Sequence, residues 1–198
     1  MSECESEHQE AAELERRTLW ILLAVNGIMF IVEAVAGYFG DSTGLLADSF
    51  DMLADASVYG IALYAVGRSS RLQGNAAKAS GVIQVALGVG VLVEVLRRFL
   101  FGSEPASSLM MIVGALAFFA NVSCLVLLAK HRKGGIHMRA SWIFSTNDVI
   151  ANLGVILSGI LVFYLKSHLP DLIIGVIISI LVIRGGLQIL HEAREAEG

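Results

Sequence analysis

Long apolar stretches, separated by short polar or glycine-containing breaks, dominate the sequence. A helix needs about 20 apolar residues to cross the hydrocarbon core of a bilayer. Six stretches of about that length occur, at residues 19–39, 46–67, 79–100, 108–129, 141–164 and 171–190. Because backbone polar groups inside a bilayer must be hydrogen-bonded within the protein, we predict an all-α polytopic membrane protein with six transmembrane helices.

The composition supports a membrane protein, with 56% hydrophobic and only 16% charged residues, a balance more apolar than that of a soluble domain. The formal net charge is −4, and no basic segment is present that could neutralise phosphates. This excludes nucleic acid as a partner and leaves the lipid bilayer as the surroundings. Cys4 and Cys124 lack the spacing of a zinc or redox motif.

Three segments are predicted along the chain. Residues 1–17 form an acidic tail without the features of a secretory signal, residues 18–192 form the membrane domain, and residues 193–198 form a short tail with no further domain. All lysines and arginines except Arg97, Arg98 and Lys166 fall on the side of the two termini, so the positive-inside rule predicts that both termini are cytoplasmic. We expect a prokaryotic cytoplasmic (inner) membrane. Cys4 and His8 could collect metal loosely, or the acidic tail is simply solvated.

The second apolar stretch carries Asp48, Asp51 and Asp55. Ionised side chains at bilayer depth are costly, and they usually face the interior of a bundle or a water-filled path. Asp48 and Asp55 are almost two helical turns apart, and Asp51 lies one turn (roughly 6 Å) from Asp55. Three carboxylates on one helix face repel one another, which requires a cation, shared protons or a basic partner.

The fifth stretch adds a further carboxylate, Asp148, with Asn147 beside it and Asn152 one turn on. The second and fifth helices are predicted to cross in opposite directions, so Asp51, Asp55 and Asp148 reach comparable depth and can face one site. The alternative is a buried salt bridge, for which Arg184 in the sixth stretch is a possible partner.

The remaining polar positions favour structural roles. Asp48 is expected to cap or pack near its helix end, and Glu33 to pair across helices. Asn121 is expected to bridge helices, and Glu94 to form a local ion pair with the arginines that follow it.

One pattern spans the first two apolar stretches. The first stretch contains Asn26, Glu33 and Gly37, and GDSTGLLADSFDMLAD follows at residues 40–55. It resembles the cation diffusion facilitator family of metal/proton antiporters, whose two metal ligands on the second helix fall here on Asp51 and Asp55. The segment 138–156 resembles the family's fifth helix, where a histidine and an aspartate four residues apart are ligands.

Asp148 matches the second of these fifth-helix ligands, but Phe144 stands at the first and cannot coordinate a metal. Asn147 is our choice for the fourth ligand, with Ser145 and Asn152 as alternatives.

The resemblance implies the cation-efflux transmembrane fold. It also implies a transporter that exchanges Zn²⁺ for protons by alternating access, with Cd²⁺ or Co²⁺ as additional substrates. Mn²⁺ or Fe²⁺ is the alternative cargo because the predicted ligands are all oxygens. An organic-cation transporter, with Phe50, Tyr59 or Phe144 beside the carboxylates, and a non-transporting scaffold remain open. No nucleophile–base pair or phosphate loop favours an enzyme, and no cofactor is expected.

The resemblance also suggests a homodimer. Without a cytoplasmic domain, the dimer would form through membrane helices, with the Gly81–Gly88 face of the third helix as a candidate surface.

Overall fold

The computed structural model describes residues 2–65, 70–129 and 136–195, and this part of the chain is all-helical. The six helices are α1 (Ser2–Phe39), α2 (Thr43–Ala65), α3 (Ser70–Phe101), α4 (Ser107–Ala129), α5 (Ile136–Leu165) and α6 (Leu169–Glu195). The predicted fold class and number of helices are confirmed. Helix α1 begins at Ser2, so the segment predicted as a tail continues the first helix.

Five helices are long and apolar enough to cross a membrane, with spans at Arg16–Phe39, Lys78–Phe101, Ser107–Ala129, Thr146–Leu165 and Leu169–His191. Helix α2 has 23 residues but does not qualify on composition, because its three aspartates interrupt the apolar sequence. It contacts each of the other five helices. Its acidic side chains are therefore carried by the helix that the rest of the bundle surrounds.

The turn between α1 and α2 is tight. Gly37 is essential to it, because a Cβ atom there would lie 2.8 Å from the backbone nitrogen of Leu46. Asp41 adopts a positive φ of 50°, a conformation that aspartate tolerates better than most residues. The side-chain oxygen of Ser42 then accepts a hydrogen bond from the backbone N–H of Leu45 and acts as the N-cap of α2.

The N-terminus of α2 is also bound by α6. The buried carboxylate of Asp171, in the first turn of α6, accepts hydrogen bonds from the backbone N–H groups of Thr43 and Gly44 and from the hydroxyl of Ser42. Thr43 also donates its hydroxyl to the same carboxylate. This contact fixes where α2 starts and how far each of its aspartates lies inside the bundle.

Small residues bring α3 and α6 together. A Cβ atom at Gly81 would lie 2.9 Å from the carbonyl oxygen of Gly186, and one at Gly88 would lie 2.6 Å from the side chain of Ile183. The idea that the Gly81–Gly88 face receives a second copy of the chain is therefore wrong, because α6 of the same chain occupies it.

An ion-pair network ties the end of α3 to the α1–α2 turn. Glu94 pairs with Arg97 at 2.6 Å and with Arg98 at 2.7 Å, as the sequence predicted. Arg98 is almost fully buried and also reaches Asp41 at 3.1 Å. The backbone N–H of Glu104, in the α3–α4 loop, donates to the same aspartate.

Candidate metal centre

Asp55 and Asp148 meet in the interior of the bundle, and Asp51 lies one turn away from Asp55 on α2. Asp55 and Asp148 are 5% and 2% exposed, and Asp51 is half-buried. The carboxyl groups of Asp55 and Asp148 lie within hydrogen-bonding distance of each other, and Asp51 is close enough to interact electrostatically with both. Helices α2 and α5 therefore present their carboxylates to a common space.

The Asp55–Asp148 contact needs a positive charge. Two ionised carboxylates at hydrogen-bonding distance repel strongly where water is excluded, so the contact requires either a proton between them or a cation. One oxygen of Asp148, Oδ2, is buried and receives no hydrogen bond from the described part of the chain. Arg184, considered as a basic partner from the sequence, is exposed on α6.

Tyr59 orients one of these carboxylates. Its side chain is 1% exposed, and its hydroxyl donates to Oδ2 of Asp55 at 3.3 Å. Tyr59 follows Asp55 by four residues, so both lie on the same face of α2. The sequence suggested Tyr59 only as an aromatic neighbour of the carboxylates, although its four-residue spacing from Asp55 also indicates a hydrogen-bond donor.

The fourth ligand is not provided by the arrangement seen here. Asn147 is exposed on α5 while its neighbour Asp148 points inward. The side chains of Phe144 and Ser145 lie outside those that the structure describes. Among the described side chains, no three histidine, cysteine, aspartate or glutamate groups are close enough together to hold one metal ion.

A second polar group lies between this space and the start of α2. Asn152 of α5 donates its amide to Oδ2 of Asp48, and Asn121 of α4 donates to Oδ1 of Asn152 at 2.9 Å. The carboxyl of Glu33 on α1 lies within hydrogen-bonding distance of Asp48. These side chains form one buried polar network that links α1, α2, α4 and α5. Asn121 bridges helices as predicted.

Asp48 packs inside the bundle rather than capping its helix. The cap is made by Ser42 and by Asp171 of α6, for which the sequence predicted no role. A signal existed, because Asp171 directly follows Pro170 at the start of an apolar stretch, but nothing in the sequence indicates which helix end it would reach. Asn152, an alternative fourth ligand, has its amide oxygen and nitrogen engaged with Asn121 and Asp48.

The available donors define the chemistry that the centre can support. Its carboxylates are hard, negatively charged oxygen ligands, which suit divalent cations such as Zn²⁺, Mn²⁺ or Mg²⁺. A dication would neutralise the repulsion among Asp51, Asp55 and Asp148. Protons would do the same, so metal and protons would compete for these oxygens.

Comparison with known proteins agrees with this chemistry. The sequence profile described as the cation efflux transmembrane domain matches residues 19–196. The zinc transporter ZitB of Yersinia pseudotuberculosis is 26% identical over 190 residues, covering 89% of this chain and 61% of the relative. The cadmium, cobalt and zinc/H(+)-K(+) antiporter of Bacillus velezensis is 24% identical over 201 residues, covering 94% of this chain and 64% of the relative.

A third relative, the metal cation efflux system protein CzcD of Cupriavidus metallidurans, is 24% identical over 179 residues, covering 84% of this chain and 57% of the relative. The chain thus spans about three fifths of the length of these relatives. The profile match extends from α1 to the end of α6 and includes both carboxylate-bearing helices. The chain is a multi-pass membrane protein that belongs to the cation efflux transmembrane domain family, the cation diffusion facilitators.

Proposed function

We propose that this protein is a transporter, not an enzyme, and that it moves a divalent metal cation, principally Zn²⁺, across a membrane in exchange for protons. The observation that carries the proposal is the contact between the buried carboxyl groups of Asp55 and Asp148, with Asp51 one turn away. Carboxylates at this depth are rare in membrane proteins and usually belong to an ion or proton path.

The ion would be held by Asp55 and Asp148, with Asp51 joining them from the neighbouring turn of α2. Asn147 could serve as a fourth ligand only if α5 rotated, because its side chain is exposed. Water completes the coordination shell without such a rotation. Tyr59 supports the centre by holding the carboxylate of Asp55 in place.

Zinc is favoured over manganese and iron(II) by the relatives, whose names specify zinc, or cadmium, cobalt and zinc. Cd²⁺ and Co²⁺ are expected as additional cargo. Oxygen-only ligation also accepts harder ions, so the order of preference has to be measured. We propose that both termini face the cytoplasm and that the protein functions as a homodimer, through a surface other than the Gly81–Gly88 face.

Exchange by alternating access follows from competition for the same oxygens. Cytoplasmic metal displaces protons from the carboxyl groups, the helices around α2 shift, and protons from the opposite side release the metal. Because α2 contacts all five other helices, a change in the charge of its aspartates affects the whole bundle.

The test is uptake of Zn²⁺, Mn²⁺ and Fe²⁺ into proteoliposomes under an imposed pH gradient. The wild type is compared with Asp148→Asn, which removes charge at nearly constant volume, and with Glu104→Gln, which removes an exposed loop carboxylate. We expect pH-driven zinc uptake by the wild type and Glu104→Gln, and none above empty vesicles by Asp148→Asn. Equal uptake in all three would overturn the proposal.

Purified Asp148→Asn also separates transport from a scaffolding role. A scaffold predicts that this variant loses stability to the same degree as it loses zinc binding. A transporter predicts loss of binding with little loss of stability, because removing one of two repelling charges relieves repulsion in the metal-free protein.

A further inference from the structure

Glu33 is a buried acid that lacks a hydrogen-bond donor within the described part of the chain. Its side chain is 0% exposed, and neither Oε1 nor Oε2 receives a hydrogen bond from the described residues. Among the described residues, the carboxyl of Asp48 lies within hydrogen-bonding distance, and as an ionised group it can only accept. An ionised Glu33 would therefore be a buried charge without compensation, which proteins avoid.

Asp48 has the complementary arrangement. Its Oδ2 accepts a hydrogen bond from the amide of Asn152, whereas its Oδ1 is buried and no described residue donates to it. A proton on Glu33 would supply the missing donor to Asp48, and one hydrogen bond would satisfy both residues. The hydrogen bond that Asn152 donates to Asp48 favours the ionised form of Asp48. Glu33 is therefore the group that carries the proton.

The position of this pair links it to the proposed metal centre. Asp48 lies about one turn closer than Asp51 to the N-terminus of α2. Within the described part of the chain, the titratable groups that act on the pair electrostatically are Asp51 of α2 and Asp148 of α5, while α4 contributes the amide of Asn121 through Asn152. The pair and the metal centre are thus separate but close enough for the charge of one to influence the other.

We propose that Glu33 and Asp48 share one proton and form a proton site distinct from the metal ligands, which releases its proton when a dication occupies Asp51, Asp55 and Asp148. The step is a simple dissociation in which the O–H bond of the Glu33 carboxyl breaks and the proton leaves to water. The dication carries one positive charge more than the single proton that it displaces from Asp55 and Asp148, and this extra charge stabilises the anion that remains. The release half of this inference rests on the proposed function.

Vibrational spectroscopy of the purified protein without metal tests the shared proton directly. A protonated carboxyl group has a carbonyl stretching band distinct from those of ionised carboxylates, and Glu33→Gln should remove the band of the pair. The amide introduced by this substitution can still donate an N–H to Asp48, so the variant keeps the hydrogen bond and the fold. Glu104→Gln is the control that should keep the band. A spectrum of Glu33→Gln identical to that of the wild type would overturn the shared proton.

Zinc titration in weakly buffered solution with a pH indicator tests the release. We expect Glu33→Gln to bind as much zinc as the wild type but to release about one proton fewer per ion. Asp48→Asn should show the same deficit, and the double variant should also lack about one proton rather than two, because the two residues hold one proton between them.

The outcomes separate this inference from the function on which it depends. Two results would overturn the release step without affecting the conclusion that zinc binds. One is equal proton release by the wild type and Glu33→Gln, and the other is a deficit of two protons per ion in the double variant. Absence of zinc binding in the wild type would overturn both the release step and the proposed function, and the vibrational band would still decide whether Glu33 and Asp48 share a proton.

Discussion

The carboxylate of Asp171 on α6 holds the first residue of α2, Thr43, by two hydrogen bonds: Oδ2 accepts the backbone N–H at 2.7 Å and the side-chain hydroxyl at 2.8 Å. A negative charge at a helix N-terminus is favoured by the helix dipole and satisfies N–H groups that have no partner within the helix. The contact therefore stabilises α2 and also fixes its position relative to α6.

Asp171→Ala is expected to lower the free energy of unfolding by about 3 kcal/mol or more, because several buried hydrogen bonds to one charged group are lost together. Ser42→Ala, which removes one hydroxyl from the same cluster, should cost about 1 kcal/mol. Unfolding in mixed micelles with increasing denaturing detergent, followed by circular dichroism, measures both. Similar effects of the two variants would show that Asp171 contributes no more than a single hydrogen bond.

Tyr59→Phe should weaken metal binding without disturbing the fold. The hydroxyl that donates to Asp55 is removed, while the ring still fills its buried space. Loss of an outer-shell hydrogen bond to a metal ligand typically reduces affinity by about 10-fold or more. Zinc binding by calorimetry is compared with that of Tyr64→Phe, an exposed tyrosine on the same helix. Unchanged affinity in Tyr59→Phe would argue against Asp55 as a ligand.

Gly81→Ala should destabilise the α3–α6 pair by roughly 1–3 kcal/mol, because the added methyl group meets the backbone carbonyl of Gly186, which cannot move independently of α6. Gly90→Ala is the matched control on the same helix, since a Cβ atom there meets nothing within 4 Å. It should be neutral or slightly stabilising. The same detergent-unfolding assay applies, and equal stability of the two variants would contradict the close packing.

Arg98→Ala should cost about 1–3 kcal/mol of stability, because it leaves Glu94 and Asp41 without their common, buried partner. Arg97 pairs with the same glutamate but is largely exposed, so solvent screens its interaction and Arg97→Ala should change little. Thermal unfolding in detergent at low and high salt distinguishes the two. A salt-sensitive loss of the same size in both variants would show that burial of Arg98 does not matter.

The membrane class, the number of helices and the helices that carry the buried carboxylates all follow from the order of residues along the chain. Apolar stretches of this length have one stable form in a bilayer, so their pattern is sufficient. Local spacing along one helix was also sufficient for the ion pairs of Glu94 with Arg97 and Arg98, because helical geometry sets the distance between such residues without reference to the rest of the fold.

The sequence indicated that Asp55 and Asp148 can face one site, but most of the other partners across helices could be identified only once the helices were packed. The sequence does not specify how each helix is rotated about its axis, and that rotation places Asp148 in the interior while it exposes Asn147. Nor does it show that Asp171 reaches the start of α2 from a position 128 residues away, or that Glu33 meets Asp48. Such contacts result from packing of the whole bundle, in which close approach at glycines such as Gly81 sets the register between helices.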